Sequence, residues 1–200
     1  MHIYGITGPS GSGKSLLCEY LSAHGVAHIN ADAVYHALLL PPSPAAEAIA
    51  REFGPQVITP DGGVDRPTLA KLVFQSPEQL ERLNQTVLPI VLDEVRARLA
   101  RMESEGVHAV AIDAPTLIES GFDGECDTVI VVLSAKEERI LRVVTRDGLC
   151  RERAEERIEA QRPDAFYTEK ADVVLYNNGD EKAFFEQARD AIPHLNQQSI

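Results

Sequence analysis

The chain has 200 residues, 44% of them hydrophobic and 25% charged. That is enough apolar content to exclude a disordered chain and enough length to bury a core without disulfides. Its 13 Gly and 12 Pro follow no period, which excludes collagen-like and low-complexity sequence, and the formal net charge of −12 speaks against a general nucleic-acid partner.

Met1–Ser15 has no basic start followed by an apolar stretch, so no signal peptide is expected, and no later run reaches the ~18–20 apolar residues of a membrane span. His2–Thr7 (HIYGIT) is a short apolar run that fits a buried parallel strand. Ser15–Ala23 places Leu16, Leu17, Tyr20 and Leu21 on one helical face, and Gly25 follows as a stop signal. A second strand is expected at Val26–Asn30. The next interval, about 77 residues, is largely helical. Within it Gln79–Arg101 repeats Leu80, Leu83, Val87, Leu92, Val95 and Leu99 at steps of three to five, with a kink or break expected at Pro89. Strands follow at His108–Asp113 and Thr128–Leu133. A second largely helical interval, about 38 residues, contains the strong helix formers of Arg151–Gln161, and Asp172–Asn177 is the fifth strand. The tail Asn196–Ile200 is expected to fray. Alternating strands and helices indicate an α/β fold on a parallel sheet, with the two long intervals as inserted substructures of one domain.

The chemistry is concentrated after the first strand. Gly8-Pro9-Ser10-Gly11-Ser12-Gly13-Lys14-Ser15 matches G-x-x-x-x-G-K-[ST], between an apolar strand and an amphipathic helix. Glycines let such a loop turn its N–H groups inward, the helix N-terminus adds positive dipole, the Lys reaches the β- and γ-phosphates, and the Ser hydroxyl can ligate Mg²⁺. The expected nucleotide contacts are Gly8, Gly11, Ser12, Gly13, Lys14, Ser15 and Leu16. The third strand ends in Asp113, suited to the second metal-site carboxylate beside Ser15, although strands often end in Asp without function. Asp32 follows the second strand, whose carboxyl end in a parallel sheet opens into the same crevice as the phosphate loop. It could deprotonate an acceptor hydroxyl or simply cap the next helix. Seven of the 14 arginines fall between Arg139 and Arg162. Arg142 and Arg146, spaced i, i+4, suit a transferring phosphoryl group or a salt-bridged surface; the other five read mainly as solvated surface residues. Cys18, Cys126 and Cys150 form no CxxC pair and read as reduced packing residues of a cytoplasmic protein. His24 and His28 are four apart but separated by Gly25, and the histidines show no metal pattern.

TGPSGSGKS (7–15), INAD (29–32), FG (53–54), DGGVDRPTL (61–69), DAPTLIES (113–120), RVVTRDG (142–148), RIEAQ (157–161) and ADVVLYNNG (171–179) together resemble the dephospho-CoA kinase family, of the P-loop nucleoside-monophosphate-kinase-like group. The resemblance spans about Ile3 to Gly179. It implies a P-loop three-layer αβα fold with a five-stranded parallel sheet, a helical substrate-binding insert at about 33–106 and a small helical lid at about 142–168. It further implies transfer of the ATP γ-phosphate to the ribose 3′-hydroxyl of dephospho-CoA, with Mg²⁺, by a cytoplasmic monomer or weak homo-oligomer that needs no nucleic acid or membrane. By position Asp32 corresponds to the family's base, Arg66 to a substrate-side arginine, Arg142 and Arg146 to lid arginines, and Asn177 to an asparagine near the adenine site. Asn30, Leu88 and Thr116 depart from the usual Asp, His and Leu. Another small-molecule kinase of the same group, or a nucleotide-binding regulator without turnover, are the rival readings; no N-K-x-D motif supports a GTPase.

Overall fold

A computed structural model describes residues 1–192 and 195, so the tail expected to fray lies outside the described residues. Five strands form one parallel sheet: β1 (His2–Thr7), β2 (Ala27–Asn30), β3 (Ala109–Asp113), β4 (Thr128–Leu133) and β5 (Val173–Tyr176), in spatial order β2-β3-β1-β4-β5. The sheet is the one expected from the apolar runs. β1 and β4 begin and end where those runs do, β2 and β3 each start one residue later, and β5 is one residue shorter at both ends. β1 lies between β3 and β4, with Ile6 opposite Asp113 and Thr7 opposite Val131. The chain therefore leaves β1 on one side and later returns to the other, a topological switch point at whose carboxyl end α/β sheets bind ligands.

The chain divides into two compact units, Asn30–Ser104 and the remainder. In the remainder, strand residues of one parity face α1 (Lys14–Ala23) and α9 (Glu181–Ala191). Tyr4, Ile6, Ala111, Ile130 and Val132 pack there with Leu17, Leu21 and Phe184. Residues of the other parity, such as Val110, Ile112, Val129 and Val131, are buried as well. A sheet covered on both faces has continuous apolar strands rather than alternating ones, which is why the runs were readable. After β4 come α6 (Lys136–Asp147), α7 (Arg151–Glu159) and the short α8 (Asp164–Thr168). α6 and α7 share a small core of Ile140, Val143, Ala154 and Ile158. Gly148 ends α6 in a left-handed conformation, its N–H donating to the Val144 carbonyl at 3.0 Å, and so serves as a helix stop.

The other unit contains α2 (Ala31–Leu38), α3 (Pro44–Phe53), α4 (Arg66–Val73) and α5 (Pro77–Ser104), the last packed against the other three. α5 runs unbroken through 28 residues, so the break expected at Pro89 does not occur. Pro89 is exposed, and so is Gln85, whose carbonyl loses its N–H partner and can be hydrated instead. The buried stripe is Leu83, Val87, Val91, Val95 and Leu99. No helix among the described residues is long and apolar enough to cross a membrane.

Candidate active site

The phosphate loop folds by glycine geometry. Gly8 and Gly13 have φ of 137° and 106°, a region open to glycine and strained for other residues. A Cβ at Gly13 would collide with the Asn177 side-chain amide, and one at Gly8 with the Val132 carbonyl. α1 begins directly after Gly13 with no side-chain cap and no acidic residue in its first turn. Its N-terminal amides and dipole therefore lie uncompensated, the condition that favours an anion. Lys14 Nζ donates to the carbonyls of Gly8 at 2.8 Å and Pro9 at 3.2 Å, across the loop. Ser12 Oγ is buried and has no hydrogen-bond partner among the described residues.

The loop is held from outside by a set of polar side chains. Asn177 is buried after β5, and its Nδ2 donates to the Ser12 carbonyl at 2.9 Å. Arg142 donates through Nη1 to the carbonyls of Gly11 (3.1 Å) and Ser12 (3.3 Å) and to Ser134 Oγ (3.1 Å), and through Nη2 to Asn177 O (3.1 Å) and Oδ1 (3.2 Å). Arg139, expected to be a solvated surface residue, is instead 7% exposed. Its Nε donates to the Ser10 carbonyl at 3.1 Å and its Nη2 to Gln161 Oε1 at 2.6 Å, and Gln161 in turn accepts from the Ser10 amide at 3.0 Å. Burial lowers the pKa of Arg139, with Asp164 acting in the opposite direction. Arg139, Arg142 and Arg146 stand at i, i+3 and i+7, one face of α6, so the spacing that could have found Arg139 is in the sequence. Arg146 is exposed, with Nη2 at 3.5 Å from Ser10 Oγ, and is paired with Asp147, which also accepts from Arg157. These two arginines hold the exposed Asp147 carboxyl below the usual carboxylate range, the Arg146 hydrogen bond most of all.

Asp113 ends β3 and is buried. A carboxylate oxygen of Asp113, Cys18 Sγ and a ring nitrogen of His28 all lie within 4.8 Å of one another. Cys18 is one helical turn beyond Ser15, which is exposed in the first turn of α1. Burial, and after it the Asp113 charge, push the Cys18 thiol far above its ordinary range, so it is no nucleophile. The histidine reading that saw no metal pattern did not anticipate this grouping, because it depends on β2 and β3 being neighbours.

In the unit Asn30–Ser104, the capping role considered for Asp32 belongs to Asn30, whose Oδ1 accepts from the Ala33 amide at 2.7 Å. Asp32 is the second residue of α2 and is exposed. Arg66 opens α4, also exposed. Its position is set by DGGVDRPTL: an Ile58–Val64 antiparallel bridge closes a tight turn, and Asp65 then caps α4, accepting from the Thr68 amide at 3.1 Å and hydroxyl at 2.8 Å.

A strand, a glycine loop and an uncapped helix with lysine at its start, set at the switch point of a parallel sheet, define a phosphate-loop nucleotide-binding protein. The sequence profile of the dephospho-CoA kinase family matches residues 2–183, and the chain belongs to that family. A dephospho-CoA kinase of Symbiobacterium thermophilum is 41% identical over 90% of this chain and 75% of its own length. A crystal structure from Thermus thermophilus superposes with a TM-score of 0.81 at 33% identity, covering 100% of this chain and 98% of that one. The dephospho-CoA kinase from Campylobacter jejuni shares the fold, with a TM-score of 0.72 at 24% identity over 99% and 98% of the two chains.

Proposed function

We propose that the protein transfers the γ-phosphoryl group of ATP to the ribose 3′-hydroxyl of dephospho-CoA, a cytoplasmic reaction and the last step in making CoA. The observation that carries this is the family match from residue 2 to 183, which takes in the phosphate loop, Asp32, the Arg66 turn and the arginine face of α6 alike. The phosphate loop fits the triphosphate by its own features: the uncapped α1 N-terminus, the glycine cradle, Lys14 and the Ser12 hydroxyl, which has no partner among the described residues. Gly8 and Gly11 shape the loop, while Leu16 belongs to the first turn of α1. Ser15 and Asp113 would hold Mg²⁺, an oxygen donor pair of the kind that ion prefers. When bound, that ion neutralises charge on the β- and γ-oxygens.

In this reading Lys14 binds the β- and γ-phosphates. Asp32 takes the proton from the acceptor hydroxyl through its carboxylate, and Arg66 binds the acceptor. Residues 33–106 serve as the acceptor-binding insert and 142–168 as the lid. Arg146 is the lid arginine available to serve the transferring group, since it is held by an exposed ion pair with Asp147 and a long 3.5 Å contact to Ser10 Oγ. Arg142, by contrast, is committed beneath the loop together with Asn177. These two fix the surface that cradles the nucleotide.

Two results separate these roles. Arg146→Ala is expected to lower kcat roughly tenfold or more with little change in either KM, because the lost contact strengthens only in the transition state. Arg142→Ala removes several charge-assisted bonds from half-buried carbonyls. It is expected to cost about 2 kcal/mol of stability and to weaken ATP binding as well, read by thermal unfolding and calorimetry.

The metal assignment is checked separately. Ser15→Ala should raise the Mg²⁺ concentration needed for half-maximal rate, Asp113→Asn should do so too, and excess EDTA should abolish transfer. The proposal as a whole is tested by ATP consumption with and without dephospho-CoA. Acceptor-dependent ADP release supports it, and ATP binding with no such release would make the protein a nucleotide-binding regulator.

A further inference from the structure

Cys18, His28 and Asp113 come from three separate elements: the middle of α1, β2 and the end of β3. Their sulfur, ring nitrogen and carboxylate oxygen lie within 4.8 Å of one another. Ligand atoms around a tetrahedral zinc ion, at bond lengths of 2.0–2.3 Å, stand roughly 3.3–3.8 Å apart. The three groups therefore need to close by at most about 1.5 Å to share one centre. His28 is exposed, so its ring can move that far without disturbing the core. Cys18 and Asp113 are buried and held by α1 and β3.

We propose that Cys18, His28 and Asp113 bind a divalent cation of the zinc class, with the remaining position of the tetrahedron left to water. The donor set selects the metal. Thiolate and imidazole are good ligands for Zn²⁺ and Co²⁺ and poor ones for Mg²⁺, which takes oxygens. The sulfur enters as thiolate, its proton leaving to solvent, and no electron is exchanged.

Asp113 is shared with the magnesium role given to it above. Zinc bound here would take that carboxylate and slow transfer, a consequence that rests on the proposed function. The binding itself does not, so the test reads binding. The full chain carrying Cys126→Ala and Cys150→Ser, which leaves Cys18 as its one thiol, is titrated with Co²⁺. A sulfur-to-cobalt charge-transfer band in the near ultraviolet with tetrahedral visible bands is expected, and added Zn²⁺ should erase it. Cys18→Ala should lose the charge-transfer band. His28→Ala, an exposed change that leaves the core intact, should raise the Co²⁺ midpoint roughly tenfold or more. Absence of the band, its survival in Cys18→Ala, or an unchanged midpoint in His28→Ala would overturn the proposal.

Discussion

Lys14→Ala is expected to lower phosphoryl transfer by roughly 10²–10⁴-fold and to weaken ATP binding. Each charge-assisted bond from an ammonium to a phosphate oxygen is worth about 1.5–3 kcal/mol, and each 1.36 kcal/mol in a barrier is about tenfold in rate. Two such bonds account for that range. In this structure Nζ spans the loop to the Gly8 and Pro9 carbonyls, so the amine is already positioned over the place where the triphosphate lies in the proposed reaction. Gly8 and Pro9 are themselves buried, so their carbonyls lose the Lys14 donor away from bulk water and the melting temperature should fall as well. Steady-state kinetics with ATP titrated at saturating acceptor checks both effects. Turnover like that of the unsubstituted protein would show that the loop binds no nucleotide productively.

Asp32→Asn is expected to cost a further ~10²–10⁴-fold in kcat with ATP binding retained, the range of a positioned general base. The substitution is nearly isosteric, so it removes proton affinity and little else. Loss of a helix cap does not account for such an effect. Asn30 carries the cap, and Asp32 sits in the first turn with only the helix dipole to serve, worth about 0.3–1 kcal/mol. Stability should therefore change by about 1 kcal/mol or less while turnover collapses. If instead turnover is normal and only the melting temperature falls, Asp32 serves the helix dipole and not the acceptor.

Much of the fold was legible because a sheet buried on both faces needs uninterrupted apolar strands, and each such run stands between helical or turn-rich stretches. The phosphate loop was legible because its chemistry is local: glycine, lysine and serine at set spacing in eight consecutive residues. What depends on tertiary neighbours was not legible. Arg139 shares the helical spacing of Arg142 and Arg146, but that this residue turns inward to Ser10 and Gln161 comes from the packing of α6 against the loop. Asn177 is a polar residue at a strand end until β5 takes its place beside β4 and brings the amide to Ser12. The grouping of Cys18, His28 and Asp113 requires strand order, which spacing along the chain does not encode. At Pro89 the helix continues without a break because the bond that proline removes lies on a solvent-facing side of α5, where water can serve the freed carbonyl.

Transfer to a defined acceptor bears on all of this most directly. Initial rates with ATP and Mg²⁺ can be compared for dephospho-CoA, nucleoside monophosphates, gluconate and shikimate, and the position of the new phosphate in the product determined by phosphorus NMR. The proposed function requires kcat/KM to be far higher for dephospho-CoA than for any other acceptor, with the phosphate on the ribose 3′-oxygen. Preferred transfer to another acceptor, or phosphate at any other position, would contradict it.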